Sequence, residues 1–271
     1  MRKPAVAGAF YPAKAGELKS MIARFMKAVP EIQIKGEILA LVVPHAGYIY
    51  SGQVAAYSYK QISGKKFDSI FIIAPSHSEY FNFISIFNGD AYRTPLGLVY
   101  IDKERSKILA DKSPYIKLSE QGHLDEHSLE VQLPFLQVLF ENIKIVPIVI
   151  GQQNSNNIKE LGSTIGNLFK NDNILIIAST DLSHYYPYNT ALTLDSRVKE
   201  LVNNFDVDNL MLEFLNRSVE MCGGGPVISA MIASKIMGAN SSKVLEYKNS
   251  GDVTGDKNAV VGYLSAAFYK K

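Results

Sequence analysis

The chain has 271 residues, a hydrophobic fraction of 47%, a charged fraction of 20% and a net charge of +2 at pH 7. The scattered Lys and Arg residues exclude the clustered basic face of a nucleic-acid-binding protein, and no window approaches the roughly 18 apolar residues of a membrane span. The first apolar run is too short for a secretory signal, and the single cysteine excludes an intramolecular disulfide. We therefore expect a cytoplasmic, globular protein that binds neither nucleic acid nor membranes.

The predicted strands are short apolar runs, most of them continuous, as in strands that are buried on both faces of a sheet. In chain order they are Ile38–Val43, Ser69–Ala74, Phe83–Phe87, Leu98–Ile101, Ile143–Ile150, Ile174–Ser179, Val244–Lys248 and Val260–Phe268. Pro147 lies inside the fifth of these runs and predicts an irregular strand there.

The segments between the strands show apolar residues at helical spacing. The predicted helices are Gly16–Val29, Gly52–Ile62 with Ser51 as its cap, a helix capped by Asp102 that ends at Leu109, a helix from His127 towards Glu141, Asn156–Phe169, Leu192–Asn204, Val207–Leu215 and Val227–Met237. Pro134 predicts a kink or a break in the fourth helix. Residues 1–14 are predicted to form an irregular arm, and residues 111–126 a polar loop.

The alternation of strands and helices predicts an α/β fold. We expect a single three-layer α/β/α domain over residues 1–271, with a mostly parallel, mixed central sheet that is covered by helices on both faces. No linker, low-complexity segment or internal repeat divides the chain.

Three of the five histidines follow predicted strands, and their positions suggest a site. His45 comes after the strand that ends at Val43, His77 after the strand that ends at Ala74, and His184 after the strand that ends at Ser179. Ligands of open α/β sheets bind in the crevice outside the carboxyl ends of the strands. The sequence therefore predicts a crevice that contains several imidazoles.

His45 and His77 are candidate metal ligands, because neutral imidazole binds Zn, Cu, Fe and Ni. Cys222 is a candidate third ligand, since its position before a helix N-terminus favours the thiolate. Each residue also has a plainer interpretation, in which the histidines stabilise their loops and Cys222 is an inert buried thiol.

Other residues are candidates for catalysis or substrate binding. Asp181 and His184 lie three residues apart in one loop, which suits general acid–base chemistry. In the alternative interpretation, Asp181 or Ser183 caps the local backbone and His184 packs against the fold. Tyr48, His127 and Tyr185 are expected to line the substrate pocket. Gly223 is a further substrate-binding candidate, or simply part of a sharp turn, and Glu126 or Asp125 is expected to cap the helix that begins near His127.

Six motifs, in this order, resemble the Memo family: PHAGYIYSG, PSHS, YRTPLG, DEHSLEVQLPFL, STDLSHY and CGGGP. The resemblance extends over nearly the whole chain. It implies a fold similar to that of the class III extradiol, ring-cleaving dioxygenases, which use non-haem iron. It also implies that His45, His77 and Cys222 are the metal ligands and that His184 is an acid–base residue.

The resemblance places Cys222 where those dioxygenases have a carboxylate ligand. A thiolate is softer than a carboxylate and is itself oxidisable, which argues against extradiol cleavage. The resemblance implies copper- or iron-dependent redox chemistry, so Fe and Cu are the favoured metals and Zn is a further candidate.

Three functional hypotheses follow. The leading hypothesis is a metal-binding, oxidoreductase-like protein that acts on an unidentified small molecule or peptide. The second is a non-enzymatic cleft that binds a peptide or sequesters a metal, and the third is a metal-free hydrolase that uses Cys222 and His184. The sequence does not predict the oligomeric state.

Overall fold

The computed structural model describes residues 1–31 and 34–271. Its helices are α1 (Ala15–Ala28), α2 (Tyr48–Lys60), α3 (Lys103–Asp111), α4 (His127–Glu130), α5 (Leu133–Leu139), α6 (Ser155–Leu168), α7 (Tyr188–Asn203), α8 (Val207–Leu215), α9 (Gly224–Ile236) and α10 (Ser250–Thr254). Its strands are β1 (Glu37–Val43), β2 (Ser69–Pro75), β3 (Ile84–Phe87), β4 (Ala91–Thr94), β5 (Gly97–Ile101), β6 (Ile116–Ser119), β7 (Lys144–Ile150), β8 (Ile174–Ser179), β9 (Asp181–Tyr186), β10 (Ser241–Asn249) and β11 (Val260–Lys270).

The eleven strands of the described residues form one mixed sheet, whose main path runs β10-β11-β1-β8-β2-β7-β3-β6. Its centre is parallel, because β8 pairs in parallel with both β1 and β2, and β2 pairs in parallel with β7. The flanks are mixed, since β11 is antiparallel to β1 and β3 is antiparallel to β7. The predicted α/β fold with a mixed central sheet is confirmed, and its centre is parallel as expected.

Helices cover both faces of this sheet. Alternate residues of the central strands point into two separate cores, as the pleat of a strand requires. Leu41 and Leu175 belong to the core beneath α1, α2 and α5, whereas Val42 and Ile176 belong to the core beneath α6, α7 and α9. Strands that are buried on both faces explain the continuous apolar runs of the sequence.

Strand β9 places the candidate residues Asp181 and His184 over the carboxyl ends of the parallel strands. It pairs with the first residues of β11, from Val260 to Tyr263, while β1 pairs with the later residues of β11, from Ala266 onwards. Strand β9 therefore continues the sheet just beyond the point where β1 ends. The sequence analysis predicted a loop at residues 180–184, and this prediction was wrong because pairing with β11 makes the segment a strand.

Several element boundaries differ from the prediction. Helix α2 begins at Tyr48 rather than after Ser51, because Gly47 takes the cap position and the Ser51 hydroxyl donates to the carbonyl of Ala46. The long helix near Pro134 is indeed broken, into α4 and α5. The predicted loop at 111–126 contains β6, which pairs with β3.

Strand β7 is regular, although Pro147 predicted an irregularity. Its parallel register with β2 runs without a shift from Ile145 to Ile150. On the other side, the partner of β7 changes from β5 to β3 between Ile145 and Ile148. Pro147 lies at this change of partner, where a missing N–H group interrupts no continuous ladder.

Within the described part of the chain, no helix combines the length and the apolar character that a bilayer crossing requires.

Candidate metal centre

His45 and His77 follow two strands that end at the same edge of the sheet. Strand β1 ends at Val43 and β2 at Pro75, and β8 lies between the two strands. The two imidazole rings meet above the strand ends, with centroids 5.2 Å apart. The parallel centre of the sheet thus brings together two histidines that are far apart in the sequence.

Cys222 completes a group of three possible ligands. Its Sγ lies 3.1 Å from Nε2 of His45, and the ligand atoms of His45, His77 and Cys222 all lie within 4.8 Å of one another. Metal–sulfur distances of about 2.3 Å and metal–nitrogen distances of about 2.0–2.1 Å place two such ligands about 3.1 Å apart at a right angle and about 3.6 Å apart at a tetrahedral angle. The observed 3.1 Å therefore fits two ligands of one metal ion.

Glu126 holds His77 in place. Its carboxylate accepts hydrogen bonds from Nδ1 of His77 at 3.0 Å, from the backbone N–H of His77 at 2.6 Å and from the backbone N–H of Ser128 at 2.9 Å. Burial alone raises the pKa of Glu126, but the hydrogen bonds from His77 and Ser128 outweigh it and lower the pKa to about 2. The predicted helix cap is confirmed, whereas the hydrogen bond of Glu126 with His77 was not predicted.

A second group of possible ligands shares His77. The ligand atoms of His77, Glu126 and His127 also lie within 4.8 Å of one another. The ring of His127 stacks on that of His77, with centroids 4.8 Å apart. In this group Oε1 of Glu126 already accepts two hydrogen bonds and Oε2 accepts one, so the protein itself engages both carboxylate oxygens.

Cys222 lies in a tight turn against β9. The backbone N–H of Asp181 donates to Sγ at 3.1 Å, and the backbone N–H of Cys222 donates to the Asp181 carbonyl at 3.2 Å. Burial, followed by the nearby negative charge of Asp181, raises the pKa of the Cys222 thiol. The start of α9 was expected to favour the thiolate, whereas burial without a bound cation favours the thiol. A bound cation would reverse that balance.

Asp181 and His184 do not form a pair in the structure. Asp181 accepts a hydrogen bond from the backbone N–H of His45 at 2.8 Å, and burial raises its pKa to about 7. His184 donates its backbone N–H to Glu220 at 3.2 Å. The register between β9 and β11 shifts between the pairs Val261–His184 and Tyr263–Asp181, so both side chains reach the cleft although each has its own hydrogen-bond partner.

A cleft of about 490 Å³ is lined by two of the three candidate ligands, His45 and His77. His127 and Tyr185 line it, in the positions that the sequence predicted, and Asp181 and His184 line it as well. Burial lowers the pKa values of His127 and His184, which favours their neutral forms. The remaining wall is mainly apolar and aromatic, with Phe10, Ile49, Tyr50, Val261 and Tyr263.

Two residues predicted to bind substrate do not line this cleft. Tyr48 is 3% exposed, its hydroxyl donates to the carbonyl of Val131, and its ring packs on Phe135. Because α2 begins at Tyr48, this side chain points into the core. Gly223 is the N-cap residue of α9, and a Cβ there would lie 2.1 Å from the carbonyl oxygen of Ser179. Gly223 is thus needed for close packing of the backbone.

The N-terminal arm forms one wall of the cleft. Arg2 is 1% exposed and pairs with the buried carboxylate of Glu130, which also accepts hydrogen bonds from Tyr11 and from the backbone N–H groups of Ala5 and Val6. Further along the arm, the ring of Phe10 packs on His127, with centroids 4.9 Å apart. The sequence analysis predicted the arm but missed the buried Arg2–Glu130 pair, since these residues are 128 positions apart.

Comparisons with known proteins agree with the motifs. A family model described as "Memo-like protein" matches residues 2–267. The chain is 39% identical over 273 residues to a MEMO1 family protein of Nitrosopumilus maritimus and 40% identical over 268 residues to one of Methanosarcina barkeri, with 99% and 98% of each chain covered. A crystal structure of an uncharacterized Escherichia coli K12 protein is similar in fold, with a TM-score of 0.56 and 14% identity, over 84% of this chain and 99% of that one. The chain belongs to the Memo family.

Proposed function

We propose that the protein binds one transition-metal ion through His45, His77 and Cys222 and uses it in redox chemistry on a small molecule or peptide in the cleft. The observation that carries this proposal is the convergence of the three ligand atoms within 4.8 Å of one another, next to an open cleft that His45 and His77 line. The three residues come from separate parts of the chain, and one of them is its only cysteine.

The donor set favours particular metals. Two imidazoles and one thiolate suit Cu and Zn, and they also bind Fe, whereas Mg and Ca prefer oxygen ligands. Bound at this site, Cu or Fe would supply electron transfer, and Zn would supply a Lewis acid. We favour Fe or Cu for the redox role. A set without a carboxylate differs from the 2-His-1-carboxylate triad of oxygenases, so we do not propose extradiol cleavage.

The protein supplies the surroundings of this reaction. His127 and His184 face the cleft, where they are within reach of a bound molecule for hydrogen bonding or proton exchange. Phe10 and Tyr263 form apolar walls that exclude water. Tyr185, which is 76% exposed, lies at the rim.

Metal loading tests the ligand assignment. The apo-protein is loaded anaerobically with Fe(II), Cu(I) or Zn(II), and metal content and affinity are compared among variants. We expect one equivalent in the wild type and a loss of binding in His77→Ala and Cys222→Ser. His127→Asn distinguishes the two possible ligand sets, because it should retain the metal if Cys222 is a ligand and lose it if Glu126 and His127 are. His123→Gln, a change of a buried histidine outside the site, is the control.

Turnover tests the redox part separately. The Fe- or Cu-loaded protein is assayed for consumption of peroxide or superoxide, and activity that disappears in His45→Ala supports the proposal. Metal binding without any turnover would instead favour the non-enzymatic hypothesis, for which the exposed Ile49 and Tyr185 at the cleft are the supporting observation. Rapid alkylation of Cys222 in the chelated protein would favour the hydrolase.

A further inference from the structure

The hydroxyl group of Ser179 has three hydrogen-bond partners but only one hydrogen to donate. Its Oγ lies 2.6 Å from the carbonyl oxygen of Ser128, 2.9 Å from Nε2 of Gln132 and 2.9 Å from Nδ1 of His45. A carbonyl oxygen only accepts, so the single hydrogen of Ser179 is donated to Ser128. The other two partners must therefore donate to Ser179.

Two neighbouring groups determine the orientation of the Gln132 side-chain amide. Its side-chain amide lies between the carbonyl oxygen of Pro44, 3.1 Å from Nε2, and the hydroxyl of Tyr59, 2.8 Å from Oε1. The reverse orientation would place two acceptors, Oε1 and the Pro44 carbonyl, against each other. The amide nitrogen consequently faces Ser179, and it cannot accept the Ser179 hydrogen.

We infer that Tyr59, Gln132 and Ser179 form a buried chain of positioning residues that fixes His45 in the Nδ1–H tautomer, with Nε2 left as a bare acceptor towards the cleft floor. Gln132 is 1% exposed, and Ser179 and Tyr59 are fully buried, so water does not compete for these hydrogen bonds. This inference deepens the proposed function and rests on it, because it names the residues that prepare one ligand nitrogen.

The surroundings of Nε2 agree with this tautomer. The Sγ atom of Cys222 lies 3.1 Å from Nε2 of His45 and accepts a hydrogen bond from the backbone N–H of Asp181. A bare Nε2 accepts the thiol hydrogen of Cys222, whereas an Nε2–H group would point a second hydrogen at the sulfur. A metal ion that replaces the thiol hydrogen could then bind a lone pair on Sγ of Cys222 and another on Nε2 of His45.

Glu126 sets the same tautomer in His77. Its carboxylate accepts a hydrogen bond from Nδ1 of His77 at 3.0 Å, which leaves Nε2 of that ring free. The two histidines use different partners, an ionised carboxylate and a serine hydroxyl, for the same purpose. Such outer partners orient metal-binding imidazoles in general, and their loss weakens metal affinity about 10–100-fold.

Nitrogen NMR of histidine-labelled apo-protein tests the inference directly. Long-range proton–nitrogen correlations distinguish the two neutral tautomers, and the His45 signals are assigned from their absence in His45→Gln. We expect a protonated Nδ1 and a bare Nε2 for His45 in the wild type. An Nε2–H tautomer would overturn the inference, and this measurement needs no substitution in the chain of residues itself.

Variants then test the role of each residue. Ser179→Ala should populate the Nε2–H tautomer and weaken Zn(II) binding, measured by chelator competition, about 10–100-fold. Gln132→Met should give a mixture, since the Ser179 hydrogen can then turn towards His45. Ser58→Ala is the matched control: this fully buried serine donates to the carbonyl of Val42, away from the site, and its loss should leave the tautomer unchanged. An unchanged tautomer in Ser179→Ala would contradict the inference.

The two proposals fail in different ways. A wild type that binds metal but shows the Nε2–H tautomer would overturn the inference and leave the proposed function intact. A wild type with the Nδ1–H tautomer that binds none of the metals would overturn the proposed function, while the positioning of His45 would stand.

Discussion

At the scale of single residues, one amide side chain holds the turn that carries Cys222. Gln153 donates its Nε2–H to the carbonyl of Cys222 and accepts the backbone N–H of Gly225 at Oε1, both at 2.8 Å. The amide thus bridges the two ends of the turn from outside the cleft. Loss of this bridge should free the turn without removing any candidate ligand.

We therefore predict that Gln153→Leu loosens the turn around Cys222. Two hydrogen bonds are lost, so the free energy of unfolding should fall by about 1–3 kcal/mol. Alkylation of Cys222 by iodoacetamide in the metal-free protein should become faster, because the sulfur loses its fixed surroundings. Both effects are measurable by urea unfolding and mass spectrometry.

Gln152→Leu is the matched control for this prediction. The Gln152 side chain is exposed and next to Gln153 in the sequence, so its substitution should change neither stability nor alkylation. Equal alkylation rates in wild type and Gln153→Leu would show that other contacts hold the turn.

The sequence predicted which chemical groups meet at the site, but it did not predict every side-chain direction. His45 and His77 follow apolar strands, so their meeting could be inferred from the rule for parallel sheets. The direction of the Tyr48 side chain depends on the start of α2, which lies at Tyr48, four residues before the predicted start at Gly52. The contact of Ser179 with His45 and that of Gln132 with Ser179 depend on the assembled fold, so no local pattern in the sequence predicts them.

At the scale of elements, the N-terminal arm is attached by a buried ion pair. We predict that Arg2→Met destabilises the protein by about 3–5 kcal/mol, because the carboxylate of Glu130 is left buried without its cation. The measurement is urea unfolding, together with limited proteolysis of the arm. Since Phe10 packs on His127, release of the arm should also open the cleft.

Lys3→Met serves as the control for the arm. Lys3 is exposed, so the same loss of one positive charge should leave stability nearly unchanged. An Arg2→Met protein as stable as Lys3→Met would contradict the role given to the ion pair.

Helices α6 and α9 approach each other closely at Gly162. A Cβ at this position would lie 2.7 Å from the carbonyl oxygen of Ser229 and 2.7 Å from Cβ of Ile232. We predict that Gly162→Ala lowers the free energy of unfolding by about 1–3 kcal/mol, because the overpacked helices must separate. Thermal unfolding measures the effect.

Gly16→Ala is the control, because it makes the same substitution at an uncrowded position in another helix. Nothing lies within 4 Å of a Cβ there, so this change in α1 should stabilise the protein by up to about 1 kcal/mol. If Gly162→Ala were stabilising as well, helix propensity would outweigh the contact with α9.

The elements show where local patterns suffice and where they do not. Strands β1, β2 and β8 are continuous apolar runs, so the sequence alone predicts them. Strands β6 and β9 carry polar residues, and each forms because a partner strand, β3 or β11, supplies its hydrogen bonds. Such partners are distant in the sequence, so no local pattern reveals these strands.

At the scale of the whole molecule, one buried histidine should make stability depend on pH. His123 is fully buried, its Nδ1 lies 2.7 Å from the hydroxyl of Tyr92, and burial lowers its pKa to about 3. The unfolded chain has the ordinary value of about 6.5. Between these two values the unfolded state binds a proton that the folded state does not.

We therefore predict that the burial of His123 lowers the free energy of unfolding as the pH falls from about 6.5 towards 3, by about 1.4 kcal/mol per pH unit. Above pH 6.5 both states are neutral at this residue, and its contribution is constant. His123→Gln should flatten the pH dependence of the free energy of unfolding by that slope. The difference at pH 8 gives the cost of the substitution itself, and an unchanged slope below pH 6 would contradict the prediction.

Strand β11 also determines the order in which parts of the chain can fold during translation. It lies between β10 and β1 in the sheet, although β1 leaves the ribosome long before residues 260–270 do. Until then one edge of β1 is open, and β9, which carries Asp181 and His184, has no partner strand. A nascent chain can bring His45 and His77 together once β8, which lies between β1 and β2, has been made, but the opposite wall of the cleft forms only with β11. Any ligand of the cleft meets a complete binding site only after translation has delivered this strand.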